Sequence, residues 1–306
     1  MSQSKDSPSR TERPVLLSII VTAVGGGRHV ERCLESLRPQ IKPDVEVLVP
    51  YDATLMEFDS IRTNPRYAAV RFVNMGEVTT DAARGTESAA HEMYDRRTAA
   101  GIRAASGAVI ALLQDYGAPA QDWVEQVLLA HKLPHGVIGG SVEHVGRAPW
   151  NWAVYFLDFG RFQKPLREGP AQYLTDINVS YKRHVLESVR HLWEYRYKEV
   201  TVNWELTRQN VSLWQRPQIE VLQDRGTLHL RELLVERYSW GRLFGSIRVH
   251  ENGGGGSPVV YSAQPCNSLS SDDSHLAQGT PRAQTCWRIA AKFSTFRNCH
   301  NRVVSG

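Results

Sequence analysis

The chain has 306 residues, 42% hydrophobic and 22% charged, the balance of a globular protein with room for one α/β domain plus an extension or for two small domains. Its net charge of +4 permits phosphate-bearing ligands or an anionic membrane surface. It does not form the concentrated basic stripe of a nucleic-acid binder, and nucleic acid is not expected as a partner.

Residues 1–13 are polar, rich in Ser, Lys and Arg, and lack the apolar centre of a signal peptide. A strand follows over residues 15–23, VLLSIIVTA, an apolar run suited to burial on both faces of a parallel sheet. Gly25, Gly26 and Gly27 break it. Val30, Cys33, Leu34 and Leu37 then recur at helical spacing, and Pro39 stops that helix. Residues 45–49 form a second strand ending at Pro50, Tyr51 and Asp52, and residues 70–73 a third. A long helix is predicted over residues 87–105, closed by Ser106-Gly107. Residues 109–113 make another buried strand. Asp122 is placed to cap a helix with Trp123, Val127 and Leu128 on its apolar face, and residues 137–140 are a further strand.

Strands alternating with helices predict an α/β fold: a mostly parallel sheet with helices on both faces. Ligands in such sheets bind at the carboxyl ends of the strands. Those ends carry Thr22-Ala23, Tyr51-Asp52 and Gln114-Asp115. After about residue 150 aromatic residues become dense, residues 176–183 lead into a short helix, and helical patterns run around residues 204–209 and 230–248. From residue 252 the composition turns Gly- and Ser-rich with few aliphatic side chains. Such a segment buries too little to offset the ordering cost, and the tail 251–306 is expected to be disordered. The expected organisation is therefore a disordered 1–13, a folded domain over 14–250 (a first half 14–145 and a second half 146–250) and the tail.

Of the four cysteines, Cys33 falls on the apolar face of a helix and Cys266, Cys286 and Cys299 lie far apart. No C-x-x-C pair occurs, so a zinc knuckle is not expected and a reducing, cytoplasmic setting is the default. No run of about 18 apolar residues is present, so no membrane-spanning helix is expected.

Four segments in order carry a specific pattern: SIIVTA (18–23), EVLVPYD (46–52), GIRAASGAVIALLQD (101–115) and INVSYKR (177–183). Together they resemble glycosyltransferase family 2, with its GT-A fold, over about residues 15–250. The GIxxASGxxIAxL stretch is the most specific part. The resemblance implies transfer of a sugar from a nucleoside diphosphate sugar to a hydroxyl acceptor on a glycan or lipid-linked molecule, with inversion. It implies nucleotide contacts from Thr22, Ala23, Asp52 and Gln114. A carboxylate at a strand end can accept from a base N–H or ribose hydroxyl, although Asp52 beside Pro50 also suits a plain turn. Arg28, after the three glycines, is either a phosphate or uracil neighbour or part of a flexible turn.

The family's acidic metal motif maps onto Leu113-Gln114-Asp115-Tyr116-Gly117, closest to a branch reading Glu-Asp-His with a following Pro and Trp, here Pro119 and Trp123. The resemblance implies Mg²⁺ or Mn²⁺ on Asp115, completed by phosphate oxygens and water, or else a carboxylate that only caps a loop. Asn178 is implied at the sugar or acceptor pocket. A catalytic base must take the acceptor proton. Glu194 ranks first and Glu205 second, each also readable as an exposed helix acid; where many relatives read Glu-Asp, this chain has Val202-Asn203. In RYSWGRLF (237–244), Arg237 and Arg242 are placed to neutralise the departing diphosphate, or Leu243, Phe244 and Ile247 with Arg242 and Arg248 form an interfacial face on acidic lipid at the inner membrane surface, or the segment packs in the core. The departures at Gln114, Tyr116 and Asn203 leave open a non-catalytic relative that binds nucleotide or glycan. A methyltransferase-like α/β enzyme fits the glycine-rich turn but not INVSYKR or RYSWGRLF.

Overall fold

The computed structural model describes residues 14–251, apart from 56, 57, 147, 227 and 228. The expectations for 1–13 and for the tail from residue 252 lie outside the described residues. The chain divides into a compact unit, Met1–Ile247, and a second unit, Arg248–Gly306, of which only the end of the last helix is described.

The strands are β1 Leu17–Thr22, β2 Val45–Tyr51, β3 Val70–Asn74, β4 Val109–Gln114, β5 Gly117–Pro119, β6 Val137–His144, β7 Gly169–Pro170, β8 Asn178–Lys182 and β9 Leu213–Gln223. They form one sheet in the order β3-β2-β1-β4-β8-β6-β9-β5, with β7 beside β9. The first four strands pair in parallel, as their apolar runs predict, and β6 runs parallel to β9. The short strands β5, β7 and β8 are antiparallel to their neighbours. The sheet is thus mostly parallel, with one antiparallel strand, β8, at its centre.

The helices are α1 Gly27–Leu37, α2 Phe58–Arg62, α3 Glu87–Ala104, α4 Trp123–Ala130, α5 Pro149–Asp158, α6 Arg183–Glu187, α7 Arg190–Trp193, α8 Glu199–Arg208 and α9 Leu230–Glu251. Leu17, Ile19 and Val21 face one layer, packing with α1, α2 and α4. Ile20 and Leu48 face the other, with α3, α6, α7 and α8. This is the period-2 alternation of a strand serving two cores. Asp122 precedes α4 but makes no capping bond through its side chain, correcting the expectation; its carboxylate accepts instead from Gln126.

The GIRAASG stretch has a structural job. A Cβ on Gly101 would meet Ile20 Cγ2 at 2.5 Å and Pro50 Cγ at 2.9 Å, so glycine lets α3 lie close on β1 and β2. Ser106 donates from its backbone (2.6 Å) and its hydroxyl (2.7 Å) to Glu46, which also accepts from Ser18; the Gly107 N–H donates to Ser18 Oγ at 2.7 Å. These bonds tie the amino ends of β1, β2 and β4 and fix how α3 enters the sheet. The same contacts set the height of Arg97, Tyr94 and Thr98 above the opposite, carboxyl ends.

Candidate functional site

At the carboxyl ends of β1 and β2 lies a cavity of about 510 Å³. Ala23, Thr54, Met93, Tyr94 and Arg97 are among its lining residues, with the segment 78–87 on another side. Its position is where an open α/β sheet takes its ligand, and its size suits a small organic ligand.

Arg97 organises the inner wall. Its Nε donates to Asp52 Oδ2 at 2.6 Å, Nη1 to the Ala23 carbonyl at 3.0 Å and Nη2 to Thr54 Oγ1 at 3.0 Å. Asp52 Oδ1 accepts from the Thr54 N–H (2.8 Å) and hydroxyl (2.5 Å). Burial works against the Asp52 charge, but Arg97 and Thr54 outweigh it and hold the carboxyl below its usual range. Asp52 therefore sits behind the wall, and Thr54 and Arg97 present its charge to the cavity. Thr22 is buried, its hydroxyl 3.0 Å from that of Thr98. Gln114 pairs across the sheet with Thr22. Arg28 is exposed at the first turn of α1.

The glycine loop after β1 is already occupied by a carboxyl group from the chain itself. Asp115 is fully buried, and its Oδ2 accepts from the Gly25 N–H at 2.9 Å, with the Val24 and Gly26 N–H groups also turned to it. Burial pushes its carboxyl up to about 7 against the pull of those N–H groups. Its Oδ1 is buried without a partner. Tyr116 covers the loop, edge-on to His29 at 4.7 Å, with the Arg225 guanidinium over its ring at 5.4 Å. Among the described residues no three His, Cys, Asp or Glu side chains converge to hold a metal ion. The donor set for a cation is one orphaned carboxylate oxygen, which fits a single protein ligand and no more.

The other expected residues are distributed. Asn178 is buried and fully engaged: Nδ2 donates to the Ser141 and Ile219 carbonyls (2.8 Å each) and Oδ1 accepts from Trp123 Nε1 at 3.0 Å. It locks β8 to β6, β9 and α4. Glu194 follows α7 and pairs with Arg190 at 3.2 Å; its carbonyl accepts from Arg103, near the end of α3. Glu205 on α8 pairs with Arg208 at 3.0 Å. Neither glutamate lines the cavity or contacts Asp52 or Asp115. Arg237 is paired with Asp158 and Glu236, while Arg242 is exposed and stacks over Tyr238 at 6.0 Å.

The structure also assembles acids that sequence reading gave no role. The Tyr94 hydroxyl donates to Asp176 Oδ2 at 2.8 Å. Glu199, at the start of α8, accepts from the Asp176 N–H and, at 3.3 Å, from Asn203 Nδ2. Burial raises both carboxyls, and Asp95 is pushed up to about 8 by burial as well. Asn203 also accepts from the Tyr181 hydroxyl at 2.9 Å. Arg97, in mid-helix, gave no signal because such an arginine reads as a solvated face.

No protein family matches the chain, and no curated protein matches it. Solved structures do. The chain is similar to residues 1–349 of S. aureus TarS in complex with UDP-GlcNAc (13% identity, TM-score 0.45, covering 69% of this chain and 60% of that one). It is similar to a mycobacterial protein (15% identity, TM-score 0.45, 71% of this chain and 69% of that one). It is also similar to the mannosyltransferase PcManGT from Pyrobaculum calidifontis in complex with GDP-Man and Mn²⁺ (16% identity, TM-score 0.43, 72% of this chain and 60% of that one). The chain thus spans about 60% of the TarS fragment's length. The functional reading rests on the chain's own residues.

Proposed function

We propose that the protein is a glycosyltransferase that takes its sugar from a nucleoside diphosphate sugar and passes it to a hydroxyl acceptor with inversion. The cavity at the ends of β1 and β2 carries this reading, with Thr54 and Arg97 held rigid by Asp52. Pre-organised donors at that place suit a nucleoside with its phosphates. Ala23 lines the cavity, Thr22 is buried next to it in β1, Gln114 pairs with Thr22 across the sheet, and Arg28 follows the three glycines in sequence.

Asp115 would hold a Mg²⁺ or Mn²⁺ ion through Oδ1, and the ion would supply positive charge at the departing diphosphate. The chain's own cations nearby are Arg225, over Tyr116, and Arg32, bonded to the Tyr116 carbonyl at 2.5 Å. Glu194 and Glu205 remain the base candidates named by the family resemblance. On α9, Leu230, Leu234, Val235 and Tyr238 are exposed beside Arg231 and Arg242. That face supports peripheral contact with an anionic membrane bearing a lipid-linked acceptor. No helix among the described residues is long and apolar enough to cross a membrane.

A second reading, a non-catalytic nucleotide- or glycan-binding relative, is favoured by Asn203, since an amide cannot serve as a base. A thermal-shift screen of nucleoside diphosphate sugars, with and without Mg²⁺ or Mn²⁺, followed by a nucleotide-release assay, separates the two. Binding to the native state raises the melting temperature in either case. Nucleotide release marks the enzyme.

A further inference from the structure

The cavity meets the buried acids at one group. Tyr94 lines the cavity, and its hydroxyl donates to Asp176 Oδ2 at 2.8 Å. With its proton committed to Asp176, the phenol oxygen has a lone pair left to accept another hydrogen bond. Behind Asp176, the chain of contacts is closed. Glu199 takes the Asp176 N–H and the Asn203 amide; Asn203 takes the Tyr181 hydroxyl proton, so the 2.7 Å contact between Tyr181 and Tyr197 has Tyr197 as donor.

We propose that Tyr94 is a proton relay, passing the acceptor's proton from the cavity to the Asp176 carboxylate. This rests on the glycosyltransferase reading. The acceptor oxygen forms its bond to the anomeric carbon. The bond from that carbon to the phosphate oxygen breaks, and its electron pair leaves with the nucleoside diphosphate. The acceptor proton moves to the Tyr94 oxygen while the Tyr94 proton moves to Asp176. The ionised Asp176 carboxylate, already holding the Tyr94 hydroxyl at 2.8 Å, receives that proton. The arrangement supplies a base where Asn203 cannot serve as one. The titratable groups that act on Asp176 and Glu199 are Tyr94 and Asp95 from α3, Arg161 after α5, and Tyr181 and Tyr197; Glu92, Arg196 and Lys198 act on Asp95.

The test uses the full chain and a panel of nucleoside diphosphate sugars, with water as the acceptor. It compares wild type, Tyr94→Phe and Asp176→Asn. The expected result for both variants is unchanged donor affinity by calorimetry and a fall in nucleotide release of about 10²–10⁴-fold. The wild-type rate falls at acid pH as the Asp176 carboxyl takes up a proton; the residual rate of Tyr94→Phe lacks that limb. A merely structural tyrosine would lower donor affinity and melting temperature together with the rate. A Tyr94→Phe rate within about threefold of wild type, with the same pH profile, overturns the relay. Wild type that binds a donor and releases no nucleotide overturns it too. Wild type that binds no donor overturns the glycosyltransferase reading itself, by a different signal.

Discussion

Arg97 on α3 and Asp52 at the end of β2 form an ion pair of 2.6 Å, with side chains 8% and 1% exposed. The pair is satisfied further by Ala23 and Thr54, so neither charge is left bare. Removing one partner strands the other in a buried site, which costs about 3–5 kcal/mol. Arg97→Ala is therefore expected to lower unfolding stability by that order in urea, and Asp52→Ala likewise. The double variant should cost clearly less than the sum, because the stranded charge is gone.

Asp115 makes stability depend on pH with a definite sign. Its folded carboxyl is raised to about 7 by burial, above the usual carboxylate range. The folded state therefore holds a proton that the unfolded state releases, and stability falls as pH rises from about 4 to about 7. Asp115→Asn cannot ionise, so that part of the slope should vanish from a pH series of urea melts. An unchanged slope between those values would show that Asp115 is ionised in the folded protein throughout.

Gly25 is held by close approach. A Cβ there would stand 2.4 Å from Tyr116 Cε1 and 2.6 Å from His29 Cδ2. Gly25→Ala is expected to cost about 1–3 kcal/mol through forced side-chain movement. Gly25→Ala in a Tyr116→Ala background should recover part of that loss. Differential scanning calorimetry of the four proteins measures it.

The fold was legible where the chemistry of a segment has one structural solution. Residues 17–22, LSIIVT, are mostly apolar because β1 is buried on both faces, and the structure finds every one of them buried. The long helix α3 carries its signal over many turns. Two central strands were not legible. β8, NVSYK, is short and half polar because Asn178 and Ser180 bond to the strand and helix beside them. β9 alternates in burial, but Gln215, Pro217 and Gln223 stand at inward positions, so its hydrophobic period is masked. Gln215 is inward because it donates to the Gly139 and Gly140 carbonyls.

The site divides the same way. Asp52 and Asp115 could be picked out because strand ends are fixed by the strands. Arg97, Tyr94, Asp176 and Glu199 could not, since Asp95, Asp176 and Glu199 lie on segments that meet only after β8 and α8 fold against α3. Glu194 and Glu205 came from a register of motifs, and the structure puts them in surface pairs with Arg190 and Arg208.

The central claim is that the cavity beside Arg97 takes a nucleoside diphosphate sugar. Ala90 is an exposed residue on the cavity wall, so Ala90→Trp would fill the space without disturbing the core. The direct measurement is titration calorimetry of the full chain with UDP-GlcNAc, GDP-mannose and related donors, alongside Ala90→Trp and, as a control outside the cavity lining, Tyr238→Ala. The account predicts saturable binding of at least one donor by wild type and by Tyr238→Ala, and its loss in Ala90→Trp at an unchanged melting temperature. Binding that survives in Ala90→Trp, or wild type that binds no nucleoside diphosphate sugar, would contradict it.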